Sequence, residues 1–358
     1  MKAAVVEKPG RLVIRDIPEP RAGPYEARCE LLYGSVCTGT DRHVVAGEFP
    51  FPLPYPVVLG HESVGRVTDV GARVRHLRSG DLVTRVGTPP AGGIGAAWGG
   101  FAEIGIARDH QAMKEDGLPE QEWRPYRIHQ IVPGNVDPAG APMIITWRET
   151  LSYLTRTGVR PESHLLIIGS GGNGVAFAAH AANLGARAVV MIGSTRRADV
   201  ARRAGVTGYH DYTSPDLAAR LETAYPDGFD VLIDAVGRRG TVDLGLAYLK
   251  HGGTVGIYGL DDWGTLTIDP AQARGTFTYY NDGYDEAEVH REVIQSMQAG
   301  RLDPWLWLPS GTPLTLADLP RAFETEDGIR SLKALVRLSG HAPPPLSPQP
   351  LQPRHTGR

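Results

Sequence analysis

The chain has 358 residues, 41% hydrophobic and 22% charged, the balance of an ordinary soluble protein with room for two domains. A formal net charge of −3 leaves no basic footprint for nucleic acid and no field for an acidic membrane. Two cysteines, Cys29 and Cys37, cannot build a disulfide framework; with no apolar leader and no run of ~18 apolar residues, the expected compartment is the cytoplasm.

The chain opens on short runs that alternate apolar and polar residues: KAAVV at 2–6, LVIRDI at 12–17, ARCELLYGSV at 27–36 and ESVGRVTDVG at 62–71. Alternation punctuated by Gly and Pro predicts a β-rich, barrel-like domain. From residue 143 the period changes. MIITWRETLSYLTRTGV has helical spacing, with Ile145, Glu149, Ser152 and Tyr153 near one face. HLLIIG at 164–169 reads as a buried parallel strand, and GGNGVAFAAHAANLGA at 171–186 as a helix packed closely on a sheet. Strand-like runs recur at AVVMIG (188–193), FDVLIDAVG (229–237) and GTVGIYGL (253–260). Helical stretches, TRRADVARRAG (195–205) and RGTVDLGLAYLKHG (239–252), separate them. The alternation predicts an α/β fold with a doubly wound parallel sheet over roughly 150–275. YDEAEVHREVIQSMQAGRL at 284–302 predicts a further helix on a return to the first domain, and the Pro-rich HAPPPLSPQPLQPRHTGR at 341–358 a disordered tail.

LLIIGSGGNGVAFA sets Gly169, Gly171 and Gly174 in G-x-G-x-x-G spacing between a strand and a helix, with Gly172 and Asn173 completing the turn. Such a turn lets a pyrophosphate approach the backbone and meet helix amides. At the end of the next strand a carboxylate would normally accept from the adenosine ribose hydroxyls. Here the position is Gly193, followed by Ser194, Thr195, Arg196 and Arg197. A glycine leaves room for a 2′-phosphate, a hydroxyl donates to it, and a guanidinium pairs with it or stacks on adenine. NADP(H) is therefore favoured over NAD(H).

With VCTGTD at 36–41, LGHESVG at 59–65 and GSGGNG at 169–174 in this order, the chain resembles the zinc-dependent medium-chain dehydrogenase/reductase superfamily, its alcohol, polyol and sugar dehydrogenases above all. The resemblance implies an N-terminal GroES-like catalytic domain at 1–148 and a Rossmann NADP-binding domain at 149–275. A return to the catalytic domain at 276–338 and the tail at 339–358 would follow. Cys37 and His61 match the family's first two zinc ligands. Glu62 matches the neighbouring carboxylate, which in relatives ligates zinc directly or exchanges with its water. Thiolate, imidazole and carboxylate with one open position suit a catalytic zinc.

Three departures stand out. One extra residue separates Cys37 from Thr40 and Asp41, so the hydroxyl that relays the substrate proton is Thr40 or Thr38, with His43 finishing the relay. Counting back from Gly169, the family's remaining ligand position falls on Ile145, which cannot bind metal. ETLS at 149–152 offers Glu149 one helical turn later, on the same face, as the fourth ligand or as a solvated helix carboxylate. The four-cysteine structural zinc lobe is replaced by RVGTPPAGGIGAAWGGFAE at 85–103, so one catalytic Zn2+ per chain and no structural zinc is expected.

The implied reaction is hydride transfer between NADP(H) and a small alcohol or carbonyl, with DAVG at 234–237, including Val236, and IYGL at 257–260 shaping the nicotinamide pocket. Asn281, Asp282 and Glu103 are polar candidates for holding a sugar or polyol; Trp98 and Trp147 are aromatic candidates for an apolar alcohol or a biosynthetic intermediate. Two rival readings are a zinc-free enone or quinone reductase of the same superfamily and a nucleotide-binding protein without catalysis. The resemblance also implies a homodimer or homotetramer.

Overall fold

The computed structural model describes residues 1–308, 311–324 and 331–343. Nine strands come first: β1 (Lys2–Lys8), β2 (Arg11–Asp16), β3 (Glu26–Val36), β4 (Val57–Val58), β5 (Glu62–Val70), β6 (Leu82–Thr84), β7 (Gly95–Ala96), β8 (Ile104–Arg108) and β9 (Ile131–Val132). β2-β1-β4-β7 form one sheet, while β3 is the axis of another, pairing antiparallel with β5 and β8. The first half of β3 alternates between buried and half-buried residues; the second half, from Leu31 to Val36, is buried throughout. Ala27, Cys29 and Leu31 enter the core of the β-rich domain, whereas Leu32 and Tyr33 enter a second core. Val36 lies again in the first core, so the second half of β3 is covered on both faces, and Cys37 follows it to the start of α1 (Thr38–Ala46).

The second core is built on α2 (Met143–Arg156), in which every residue from Met143 to Leu154 is buried. A helix covered all round must be enclosed by other elements. Here they are β3, α3 (Gly172–Asn183) and α4 (His290–Gln298), through Leu32, Val175, Ala176, Val293 and Ile294. Trp147, a candidate for lining an apolar pocket, sits in this core against Trp307, their rings perpendicular at 5.5 Å, because the buried face of α2 turns it away from any cavity.

β10 (His164–Ile168), β11 (Ala188–Gly193), β12 (Gly208–Asp211), β13 (Phe229–Asp234), β14 (Leu249–Ile257) and β15 (Thr278–Tyr280) form a parallel sheet in the order β12-β11-β10-β13-β14-β15. This is the doubly wound order, with its switch point beside β10. Ile168 lies level with Ile192 and Asp234, so Gly169, Gly193 and the turn after Asp234 share the carboxyl edge of the sheet. The helix expected over 239–252 is helical only at Asp243–Leu246. Leu249 already pairs with Phe229, and Lys250 Nζ meets Asp230 Oδ1 at 2.8 Å, so pairing with β13 overrides local helical pattern. The chain then returns: β16 (Leu314–Thr315) and β17 (Ala334–Arg337) join the sheet of β3, β17 directly on β3. Of the expected tail, residues 339–343 pack here, with Ser339 and Ala342 buried and Tyr33 OH donating to the Pro343 carbonyl. Residues from 344 onward lie outside the described residues. Among the described residues no helix is long and apolar enough to cross a membrane.

Two histidines are enclosed in neutral form. His129 Nδ1 accepts from the Arg108 amide at 2.8 Å, and His180 Nε2 lies 3.1 Å from Thr150 Oγ1; burial pushes both down to about 3. The unfolded chain then binds more protons than the fold between the ordinary histidine value and about 3, so stability falls as pH drops through that window. Urea unfolding from pH 6 to 4 should show each site contributing a loss of about 1.4 kcal/mol per pH unit, and His180→Gln should remove one such contribution from the slope.

Candidate active site

The two domains enclose a cavity of about 940 Å3. Three of the four expected ligands come together, Cys37 and His61 in the cavity wall and Glu62 buried behind it: Cys37 Sγ, a ring nitrogen of His61 and a carboxylate oxygen of Glu62 lie within 4.8 Å of one another. Asp41 organises two of them. Its Oδ2 accepts from the Cys37 amide at 2.9 Å, and its Oδ1 faces His61 Nδ1 at 3.3 Å. The ring's other nitrogen, Nε2, therefore faces Glu62, at 3.9 Å. Burial opposes charge on His61, but Asp41 and Cys37 hold its imidazole well above the ordinary range. Glu62 is buried, which alone would raise it, yet Lys333 and His61 bring it below the usual carboxylate range. Its oxygens accept from Lys333 Nζ and Ser35 Oγ at 2.5 Å each and from Thr146 Oγ1 at 2.6 Å.

Glu149 is not brought into this cluster. Four residues along a helix keep azimuth but advance about 6 Å along the axis, so a carboxylate one turn beyond Ile145 reaches a different neighbour. That neighbour is Arg85, whose Nη2 meets Glu149 Oε1 at 2.6 Å. Tyr284 OH and Tyr258 OH donate to the same carboxylate at 3.2 Å each. Burial raises Glu149 above the carboxylate range against the pull of Arg85. Arg85 also binds Glu286 and donates to the His61 carbonyl at 2.7 Å, and Glu286 pairs in turn with buried Arg148 at 2.8 Å.

Thr40 and His43 stand on α1 at the cavity wall, Thr40 Oγ1 3.8 Å from Cys37 Sγ; Thr38 lines it too. His43 Nδ1 bonds the Gly39 carbonyl at 2.8 Å, which fixes the hydrogen there and leaves Nε2 as the accepting nitrogen, 3.8 Å from Asp261 Oδ1. Of the substrate-holding candidates, Trp98 and Asn281 line the cavity. Glu103 instead accepts from the Lys2 amide at 2.6 Å, and neither it nor Asp282 is in the wall.

Gly169, Gly171, Gly172, Asn173 and Gly174 form the wall on the other side. Gly169 has φ +104°, and a Cβ on Gly174 would stand 1.9 Å from the Gly169 carbonyl, so the turn between β10 and α3 closes only with glycines. Val236 packs over Gly169, held by Asp234, whose Oδ1 accepts from the Val236 and Gly237 amides at 2.9 and 3.0 Å. Ser194, Thr195, Arg196 and Arg197 follow β11 but do not line the cavity; Arg196 is exposed, and Arg197 Nη2 reaches the Ser331 carbonyl at 3.4 Å. At Gly193 a Cβ would lie 2.4 Å from Ser170 Oγ and 2.7 Å from Tyr209 OH.

Lys333, Arg85, Tyr258 and Tyr284 escaped sequence reasoning. One of two charges in an otherwise apolar run, LKALVRL, is the signal for Lys333; Arg85 carries none beyond its place after LVT.

A β-rich domain and a doubly wound sheet meeting over a glycine turn, with a thiol, an imidazole and a carboxylate converging opposite it, define a dinucleotide-dependent oxidoreductase. Comparison with known proteins specifies the kind. Residues 23–120 match the alcohol dehydrogenase GroES-like domain family and residues 172–282 the zinc-binding dehydrogenase family. The chain is 28% identical to an L-threonine 3-dehydrogenase of Anaeromyxobacter sp. (strain K) over 319 residues, 84% of this chain and 89% of that one. It is 28% identical to the L-galactonate-5-dehydrogenase of Escherichia coli (strain K12) over 326 residues, 89% of this chain and 94% of the other. The fold superposes on the alcohol dehydrogenase TADH of Thermus sp. ATN1 with TM-score 0.77 at 23% identity, over 94% of this chain and 99% of that one. The chain belongs to the zinc-dependent medium-chain dehydrogenase/reductase superfamily and is an NAD(P)-dependent enzyme of the alcohol dehydrogenase type, acting on CH–OH groups.

Gly193→Asp should overfill the corner between Ser170 and Tyr209, lowering unfolding free energy by about 1–3 kcal/mol and weakening NAD(H) and NADP(H) alike. Chemical denaturation and fluorescence titration read the two effects.

Proposed function

We propose a zinc-dependent, NADP(H)-preferring enzyme that interconverts an alcohol and its carbonyl, with Cys37, His61 and Glu62 holding one catalytic ion per chain. The observation that carries this reading is the convergence of those three buried donor groups, two of which, Cys37 and His61, line the cavity that also holds the glycine turn. The residues suit such an ion. Asp41 behind His61 is the outer carboxylate that orients a ligating imidazole, and the low-lying Glu62 is a carboxylate ready to donate. When bound, zinc supplies a Lewis-acidic charge that stabilises an alkoxide or polarises a carbonyl, and the nicotinamide gives or takes the hydride.

The chain's own groups do the rest. Thr40 takes the substrate proton at its hydroxyl, and His43 accepts it at Nε2, the nitrogen left free by the Gly39 bond. Lys333 balances Glu62, and burial does not lower it, because Cys37 and Glu62 hold it raised. Tyr258 and Tyr284 keep their protons, since burial and Glu149 push both well above the ordinary tyrosine range. Glu149 thus serves as the acceptor that fixes this wall and stays outside the ligand set. Gly169–Gly174 and Val236 would hold the dinucleotide, and Ser194, Thr195, Arg196 and Arg197 would bind its 2′-phosphate. A cytoplasmic homodimer or homotetramer, as the family resemblance implies, completes the reading.

Cys37→Ala should lose its zinc by elemental analysis and its turnover with it, while dinucleotide binding persists; unchanged turnover would exclude the zinc assignment. Glu149→Gln should keep a full zinc complement. Arg196→Ala should raise the dissociation constant for NADP(H) about tenfold and leave that for NAD(H) nearly unchanged.

A further inference from the structure

Outward from the proposed metal ligands, one wall of the cavity is a continuous run of rings. His61 meets Trp98 at 5.1 Å with the rings tilted at 50°, Trp98 meets Phe49 at 5.7 Å, Phe49 meets Phe51 at 5.6 Å, and Phe51 meets Trp263 at 6.0 Å. Leu53, Ala96 and Ala97 fill the same wall. Phe51, Trp98 and Trp263 are 54%, 42% and 46% exposed, so large apolar side chains face water inside a cleft instead of packing into a core. The run also crosses between domains: Phe51 follows α1, and Trp263 follows β14.

The polar side chains of the cavity are largely engaged with one another. Glu149 accepts from Arg85, Tyr258 and Tyr284, and Arg85 is held by Glu286, Glu149 and the His61 carbonyl. Asp261 accepts from Arg238 at 2.7 Å and faces His43. Asn173 Oδ1, buried without a partner, belongs to the glycine turn on the dinucleotide side. Tyr153 OH is also buried without a partner, its ring enclosed by Phe177, Tyr258 and Tyr280 away from the run of Trp and Phe rings. Asn281 is an exposed polar side chain of the wall. A hydroxyl-rich substrate would therefore bring several polar groups against Trp and Phe rings and leave them without partners, a penalty that an apolar chain avoids.

We propose that the substrate is an alcohol, or its carbonyl partner, carrying an extended apolar alkyl or arylalkyl body that lies along the rings from Trp98 to Trp263, and is not a polyol, sugar acid or amino acid. This rests on the cavity being the site of hydride transfer. The reacting carbon lies at the Cys37–His61–Glu62 end, and the body runs toward the cleft mouth, gripped by both domains.

The test uses the zinc-loaded enzyme with NADPH and straight-chain aldehydes from ethanal to decanal, alongside NADP+ with sorbitol, galactonate and threonine. The expected result is kcat/KM rising about fourfold per added methylene until the chain outruns the rings, with the polar substrates turned over poorly. Phe51→Ala and Trp263→Ala should each lower the decanal-to-ethanal ratio about tenfold, and Phe51→Leu should restore most of it. Both side chains stand in exposed loops, and circular dichroism checks that the variants fold. A flat chain-length profile, a polar substrate that outperforms every aldehyde, or ratios unmoved by both alanine variants would overturn the proposal and leave hydride transfer standing. No turnover of either set with either dinucleotide would overturn hydride transfer itself, and this proposal with it.

Discussion

One buried carboxylate ties together stretches of chain that are far apart in sequence. Glu62, on β5, accepts from Ser35 of β3, Thr146 of α2 and Lys333 just before β17. Burying an unpaired carboxylate or ammonium is unfavourable by several kcal/mol, so each ion is tolerable only where the others hold it. The β-rich domain, the helix leading to the dinucleotide sheet and the returning chain must all arrive for the tie to form. Its position beside Cys37 and His61 means that the contact which closes the fold also positions the side chains proposed as metal ligands, a preorganisation that such a site would require.

A second buried group, Arg85 and Arg148 with Glu149 and Glu286, matches two positive charges with two negative ones. It fastens α2 to the loop after β6 and to the segment before α4. Because these charges satisfy one another, the cavity's polar end is already closed electrostatically, while its rings remain uncovered. Electrostatic closure and apolar exposure in one cavity are complementary: the first fixes where chemistry occurs, and the second leaves a surface whose only gain comes from excluding water.

Local signals carried much of this structure. The glycine spacing at 169–174, the Gly-His-Glu at 60–62 and the shift from alternating to helical period near residue 143 are each defined by neighbours in the chain, and each marks its element. What was not legible depends on height, register or distance. Glu149 shares a face with Ile145, yet a turn's rise hands it to Arg85. Residues 249–252 have a helical pattern but belong to β14, where Leu249 pairs with Phe229 of β13 and pairing resumes at Thr254, since strand register is decided by the neighbouring strand. Lys333 lies 271 positions from the carboxylate it serves, and no window of sequence joins them.

The corner at Gly193 is decided by what cannot fit there. Ser170 Oγ accepts from the Ser194 amide at 3.2 Å, and Tyr209 OH donates to the Ser194 carbonyl at 2.6 Å, so hydroxyls from β10's turn and from β12 hold the end of β11 in place. The space where a ribose-binding acid would begin is filled by those same hydroxyls, which lie nearer than any Cβ tolerates. The acid one strand away, Asp211, is level with Gly193 but binds the Thr213 amide and hydroxyl at 2.7 and 2.5 Å. Its negative charge is thereby partly answered before a dinucleotide arrives. The absence of an acid at 193 is thus enforced by packing, and Arg196 stands exposed beside it, the arrangement on which the proposed preference for a 2′-phosphate rests.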